Sequence, residues 1–172
     1  GRYAEVAEHL NGRGFSVVAP DHRGHGRSEG ARTHTPTFDH LLDDLERVEQ
    51  ELCDPELPLA LWGHSLGGLI TVRYLQMGGT RALVAVVSAP WLGRPGNAAW
   101  WKTGPGRVIG ALWPSAPLPS GVKGVMLTHD PEKQVEYAAD PLVKKTVSPR
   151  LFAEGSRAIT EAFKEADRVS AD

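Results

Sequence analysis

The stretch LALWGHSLGGL, residues 59–69, restricts the fold of this chain more than any other segment. Its first half predicts a strand that ends at Gly63, and the apolar pattern after Ser65 predicts a helix. Because the strand turns directly into the helix, neighbouring side chains would collide at the turn. We therefore expect Gly63 and Gly67 to supply the missing volume and Gly68 to let the helix pack closely, with Ser65 exposed.

Strands and helices alternate along the first 90 residues. Apolar residues at helical spacing predict a first helix from Tyr3 to Leu10 and an amphipathic helix over 37–52. The remaining predicted elements are the helix at 66–76 and three strands of β-branched and apolar residues, at 15–20, 59–63 and 82–89. This order predicts an α/β fold, in which buried parallel strands are covered by helices on both faces. Residues 1–90 are assigned to this core, and a length of 172 residues favours one domain.

The composition changes after residue 90. Six of the 13 prolines and four of the five tryptophans lie between Pro90 and Pro119, which argues against long regular elements there. We interpret residues 91–150 as a Pro/Trp-rich excursion from the sheet that contains a short helix near 131–139. Ser148 and Pro149 are typical of a helix start, so a last helix should begin there.

Ser65 occupies the position of a nucleophile. At the carboxyl edge of a parallel sheet its hydroxyl would be open to a substrate. The backbone N–H of Leu66, at the start of the helix, would point to a developing oxyanion. The alternative is that glycines end a strand beside an ordinary serine, but the strand before Ser65 and the helix after it favour the nucleophile.

Four segments carry a resemblance to a known family: GHSLGG at 63–68, VVAPDHRGHGRSEG at 17–30, THDPEKQVEYAADPLV at 128–143 and SPRLFAE at 148–154. Together they resemble the monoacylglycerol lipase and lysophospholipase branch of the α/β-hydrolases over nearly all of the chain. The resemblance implies that Ser65 is the nucleophile of an ester hydrolysis through an acyl-serine, and that Leu66 N–H binds the oxyanion. It also implies a small ester or lipid substrate, no cofactor, and a cap over 91–150 that covers an acyl-binding cleft.

The residues that would activate Ser65 are missing from the sequence. His129 is the only histidine after Ser65, and no Asp or Glu lies between the two. In α/β-hydrolases an acid and then a histidine follow the serine. We interpret His129 as a surface or cap residue and His64 as a packing residue. Since the resembled family carries its acid and base after two further strands, residues 151–172 should lead back to a missing C-terminal core. The chain is then an internal fragment, nearly inactive alone.

The loop DHRGHGRSEG, residues 21–30, suggests two other functions. Its aspartate and two histidines resemble part of a metal site, but a further ligand pair is lacking and a tight loop is favoured. Its glycines imitate a nicotinamide dinucleotide loop, but the G-x-G-x-x-G spacing fails at Glu29 and the next helix begins only near Thr37. The other alternative is a noncatalytic hydrolase-like protein that binds a partner through its cap.

Charge and composition argue against several partners. The net charge is −2 without a basic cluster, so neither nucleic acid nor an anionic membrane surface is indicated. No apolar run reaches the roughly 18–20 residues of a membrane-spanning helix. Cys53 is the only cysteine, which excludes an internal disulfide and predicts a cytoplasmic location, although a targeting segment before Gly1 could have been lost. The tryptophans after residue 90 either pack the cap or form an acyl pocket or peripheral lipid contact.

Overall fold

Helices and strands alternate in the first half of the chain, as the apolar pattern predicts. The structure is a computed structural model that describes residues 3–93, 108 and 110–169. Its first elements are α1 (Ala4–Asn11), α2 (Asp39–Leu52), β1 (Leu59–His64), α3 (Leu66–Met77) and β2 (Ala82–Ser88). Each predicted helix of this region is present within about two residues of its expected bounds.

The two strands β1 and β2 form a parallel pair, which confirms the predicted parallel sheet. Leu61 lies opposite Ala85 and Gly63 lies opposite Val87. The crossover between the strands is α3, which packs against both of them. This arrangement places the end of β1 and the start of α3 at the carboxyl edge of the sheet.

The hydrophobic core lies against the face of the sheet that carries Leu61. Leu69 and Ile70 of α3 are almost completely buried there, and α2 contributes Leu41 and Leu42. Beneath this layer, the buried carboxylate of Glu49 accepts hydrogen bonds from Tyr74, Thr80 and the Arg81 amide. The apolar cluster and the hydrogen bonds of Glu49 therefore connect α2 to α3 and to the start of β2.

The opposite face of the sheet is largely exposed, which corrects the expectation of strands buried on both sides. We call Ala60, Trp62, Val84 and Val86 the open face; all four residues are exposed. Helix α1 reaches this face through Tyr3, whose ring meets the Trp62 ring edge-on at 5.4 Å between centroids. None of the residues of α1 is buried. The predicted strand at 82–89 is thus present as β2, but it is not buried.

The predicted buried strand at 15–20 is wrong. These residues form no strand in the structure, and each of them is exposed. A β-branched run becomes a strand only when a neighbouring strand supplies hydrogen-bond partners. Within the described residues, Phe15 donates to Leu10 at the end of α1, and residues 16–20 have no backbone hydrogen bond to another segment.

The second half of the chain contains short elements and one long helix. They are β3 (Leu118–Pro119), a 3₁₀ turn (Gly124–Met126), α4 (Pro131–Ala139), β4 (Thr146–Val147), α5 (Pro149–Lys164) and a 3₁₀ turn (Ala166–Arg168). Strands β3 and β4 pair antiparallel. The Ser148 hydroxyl accepts the Leu151 N–H, so the predicted helix start is confirmed.

Part of the tryptophan cluster lies outside the described residues, namely Trp100 and Trp101. Trp91 is partly buried against the core, whereas Trp113 is exposed. Among the helices that the structure describes, none has the length and apolar character needed to cross a membrane. The division into 1–90, 91–150 and 151–172 remains a prediction.

Candidate active site

Ser65 lies exposed at the sharp turn between β1 and α3. Its backbone has φ 53° and ψ −117°, in the region that non-glycine residues rarely adopt. Three main-chain hydrogen bonds hold it there. The Ser65 N–H donates to the Ser88 carbonyl at 3.2 Å, and the Ser65 carbonyl accepts from Trp91 N–H at 2.9 Å and Leu69 N–H at 3.1 Å. The strained turn is therefore fixed by α3, by the last residue of β2 and by the chain that follows β2.

The glycines around Ser65 differ in how closely they are packed. A Cβ at Gly63 would lie 2.4 Å from the Gly67 carbonyl oxygen and 2.4 Å from the Thr71 hydroxyl, so Gly63 is required, as expected. A Cβ at Gly68 would lie 2.9 Å from Pro90. At Gly67 the expectation of missing volume is wrong. Apart from its two chain neighbours and the backbone of its own helix, the nearest atom to a Cβ there is His22 Nε2 at 3.9 Å, an ordinary contact distance.

Leu66 is the first residue of α3, directly after Ser65. The N–H groups of a first helical turn have no intrahelical acceptor, and the helix dipole adds partial positive charge at that end. The structure thus brings the two residues predicted for the site together at the carboxyl edge of the sheet. Such an arrangement can stabilise negative charge that develops next to the Ser65 hydroxyl.

The histidines do not form the arrangement that activates a serine. The His64 side chain is exposed, with Nδ1 3.3 Å from the Ser88 hydroxyl, so the structure does not support the packing role expected from the sequence. His129 is exposed just before α4. Throughout the described ranges, no histidine is hydrogen-bonded to a carboxylate, which is how the base of a serine hydrolase is oriented.

His22 is a neighbour of the turn that the sequence did not reveal. Its Nε2 is the atom 3.9 Å from a Cβ built on Gly67, so the ring lies beside the first turn of α3. Burial lowers the pKa of His22, and the nearby His25 lowers it further. Both effects favour the neutral form of the His22 ring. Its position depends on how the loop folds over α3, for which the sequence pattern carries no signal.

The loop over residues 21–33 is closed by its own hydrogen bonds. Arg32 donates to carbonyl oxygens at positions 26, 28 and 30, and the Asp21 carboxylate accepts the Arg27 N–H at 2.9 Å. The Gly24 N–H donates to the Glu29 carbonyl at 2.7 Å. Because these donors are used inside the loop and α2 begins only at Asp39, its glycines shape a turn rather than a phosphate site. No three His, Cys, Asp or Glu side chains of the described residues meet as metal ligands would.

The fold and the strained serine define an α/β-hydrolase. The family model described as "Serine aminopeptidase, S33" matches residues 1–171, and the chain belongs to this family. The predicted resemblance to the monoacylglycerol lipase branch is confirmed by individual relatives. The monoacylglycerol lipase of Mycolicibacterium smegmatis is 32% identical over 145 residues, which cover 83% of this chain and 51% of that protein. Human monoglyceride lipase is 34% identical over 146 residues, which cover 83% of this chain and 48% of the human protein.

Solved structures of monoacylglycerol lipases are also similar to this chain. The crystal structure of the Paleococcus ferrophilus monoacylglycerol lipase matches with a TM-score of 0.86 and 33% identity, covering 99% of this chain and 65% of that one. A soluble variant of the monoglyceride lipase from Saccharomyces cerevisiae matches with a TM-score of 0.67 at 24% identity, which shows the fold alone. The chain spans about half the length of the curated lipases it matches.

Proposed function

We propose that this chain carries the nucleophile of a serine hydrolase that cleaves carboxylic esters, with monoacylglycerols or lysophospholipid-like esters as substrates. The observation that carries the proposal is the strained, exposed Ser65, held at the carboxyl edge of the sheet next to the free helix start at Leu66. The similarity to monoacylglycerol lipases supports the choice of substrate class.

In the proposed reaction the Ser65 Oγ attacks the ester carbonyl carbon and a base takes the hydroxyl proton. The negative charge on the former carbonyl oxygen is bound by the Leu66 N–H. The C–O bond then breaks, the alcohol leaves with the proton, and water releases the acid from the acyl-serine. We propose that the base and its orienting acid lie outside residues 1–172; His129, the only histidine after Ser65 in the sequence, is exposed before α4 and does not support a role as the base. The reaction requires no metal or organic cofactor.

The region over 91–150 is proposed as the cap that admits the acyl chain. Its described part exposes several large apolar side chains: Trp113, Val125, Met126 and Val135. Where such side chains form a continuous patch, they mark contacts with lipid, ligand or protein, and we propose that these do so together with the rest of the cap. A peripheral contact of the cap with a lipid surface follows from this proposal, and the substrate would enter from there.

The test uses the protein translated from the complete reading frame that contains these 172 codons, which we call the complete product. We expect a fluorophosphonate probe to label it at Ser65, and monoacylglycerol to be hydrolysed. Ser65→Ala should abolish labelling and lower kcat by a factor on the order of 10⁶. Ser16→Ala, at an exposed serine outside both the turn and the cap, is the control and should leave both unchanged. Residues 1–172 alone should give neither labelling nor hydrolysis above background.

Three outcomes would contradict parts of this proposal. Hydrolysis that survives Ser65→Ala would remove Ser65 from the mechanism. A burst of p-nitrophenol from a short-chain ester on residues 1–172 alone would show that the base lies inside them. Binding of monoacylglycerol by the complete product without labelling or hydrolysis would favour the noncatalytic binding protein.

A further inference from the structure

Trp91 connects the main chain of Ser65 to helix α5. Its backbone N–H donates to the Ser65 carbonyl oxygen at 2.9 Å. Its indole packs against the core, with the ring centroid 5.7 Å from that of Phe152 on α5. One residue thus contacts the candidate nucleophile with its backbone and a distant helix with its side chain.

The position of the indole depends on a glycine in α5. A Cβ at Gly155 would lie 2.4 Å from Cζ3 and 2.6 Å from Cη2 of Trp91, closer than carbon atoms can approach. Gly155 is buried in the middle of a 16-residue helix, where glycine costs about 1 kcal/mol relative to alanine. The close approach of the Trp91 ring accounts for a glycine at this otherwise unfavourable position.

The hydrogen bond from Trp91 reaches further than Ser65 itself. The Ser65 carbonyl and the Leu66 N–H belong to one peptide unit, which is planar and rigid. A donor that fixes the direction of the carbonyl oxygen therefore fixes the direction of the N–H on the other side of the same plane. That N–H is the oxyanion donor of the proposed mechanism.

We infer that Trp91 is a positioning residue, which orients the Ser65–Leu66 peptide from a site on α5 defined by Gly155. The catalytic meaning of this inference rests on the proposed function, but the position of residue 65 can be measured without catalysis. Adjacent contacts support the same clamp. Pro90 lies against Gly68, and Ala89 has φ 40°, so the chain after β2 turns sharply to reach the elbow.

The test replaces the serine by a thiol and measures its reactivity. In a Ser65→Cys, Cys53→Ser background of the complete product, iodoacetamide alkylation of the introduced thiol is followed against pH by peptide mass spectrometry. A thiolate at a helix N-terminus is stabilised by the first N–H groups. We expect Gly155→Ala to change the alkylation rate about two- to fivefold at pH 7, since the added Cβ displaces the indole and turns the peptide.

A second substitution separates positioning from general destabilisation. Phenylalanine lacks the two ring atoms that the Cβ would strike, so Trp91→Phe added to Gly155→Ala should restore the alkylation rate. Ala162→Gly, two turns further along α5, is the control: it weakens the helix by about 1 kcal/mol but should leave the rate unchanged. If Gly155→Ala does not fold, Trp91→Ala, which adds no atom, should change the rate in its place.

The inference is overturned if Gly155→Ala lowers only the unfolding midpoint and leaves the alkylation rate as it was, or if the rate is not restored by Trp91→Phe. In the protein with Ser65, Gly155→Ala should lower kcat with little change in KM, because an oxyanion donor acts mainly in the transition state. If the protein with Ser65 hydrolyses no ester but Gly155→Ala alters the alkylation rate of the introduced thiol, only the proposed function is rejected. If the protein with Ser65 hydrolyses the ester but Gly155→Ala leaves the alkylation rate unaltered, only the positioning role is rejected.

Discussion

At the scale of single residues, the two glycines that flank Ser65 tolerate a side chain differently. A methyl group at Gly63 would meet the Gly67 carbonyl and the Thr71 hydroxyl at 2.4 Å, and backbone cannot give way there. We expect Gly63→Ala to lower the free energy of unfolding by roughly 1–3 kcal/mol. Gly67→Ala meets no close atom and removes a glycine from the start of α3, so it should keep or raise stability by up to about 1 kcal/mol.

Urea unfolding of the two variants and the parent chain under identical conditions measures this contrast. Equal losses for both substitutions would show that the packing difference does not exist. From the spacing in the sequence motif, Gly63 and Gly67 are equally expected to be sterically required. Which of them is sterically required depends on where Thr71 and the Gly67 carbonyl come to lie, and those positions follow from the path of α3.

At the scale of elements, one ion pair fastens the loop over residues 21–33 to α2. Two of the three Arg23 side-chain nitrogens, Nε and Nη2, donate to the Asp44 carboxylate at 2.6 Å, and the Arg23 and Asp44 side chains are 32% and 28% exposed. This pairing holds the pKa of Asp44 below its usual range, with the hydrogen bonds from Arg23 as the main cause. A carboxylate with a lowered pKa adds stability above its unfolded pKa, and the stability is lost as pH falls through the folded value.

We expect Asp44→Asn to lower the free energy of unfolding by about 1 kcal/mol at pH 7, since the pair is only partly desolvated. The difference from the parent chain should shrink as pH falls below the ordinary aspartate pKa of 3.8, because protonated Asp44 no longer attracts Arg23. Urea unfolding at pH 7 and at steps down to pH 3 gives the comparison. The neighbouring exposed Asp43, changed to Asn, is the control and should have little effect. A gap that stays constant to pH 3 would contradict the role of the charge.

Helices were easier to predict from this sequence than strands. The amphipathic pattern of α2 and the Ser148–Pro149 start of α5 are local signals, since a helix makes its hydrogen bonds within itself. The β-branched run at 15–20 looks equally strong, yet it forms no strand, because strand pairing is decided by segments elsewhere in the chain. The Arg23–Asp44 pair and the position of His22 likewise depend on tertiary contacts with no local pattern.

At the scale of the whole molecule, the sheet has a covered and an uncovered side. Val84 and Val86 on the open face are 57% and 52% exposed, and they lie beside the exposed Trp62. Contiguous exposed apolar surface next to a strand edge favours self-association. We expect residues 1–172 alone to associate reversibly, and Val84→Lys with Val86→Lys to shift the chain towards monomer.

Sedimentation velocity over a range of protein concentrations measures this association. The matched control carries Val125→Lys and Val135→Lys, two valines of a 3₁₀ turn and of α4 that are 63% and 68% exposed and are not part of the sheet. If the control is as monomeric as the open-face variant, the sheet is not the associating surface. The alternation of strands and helices along the chain predicted helices on both faces of the sheet, but it could not show that α1 would bury none of its residues and that Tyr3 would meet Trp62 edge-on.

The restraints on Ser65 have a consequence for how such a protein changes over generations. All three hydrogen bonds that fix its backbone join main-chain atoms of Ser65 to main-chain atoms at 69, 88 and 91, so none of them depends on the serine hydroxyl. A single codon change at 65 would remove the hydroxyl and leave the surrounding turn in place. Under the proposed function, lineages that carry this scaffold stand one substitution away from exchanging hydrolysis for ligand binding, and the reverse step is equally short.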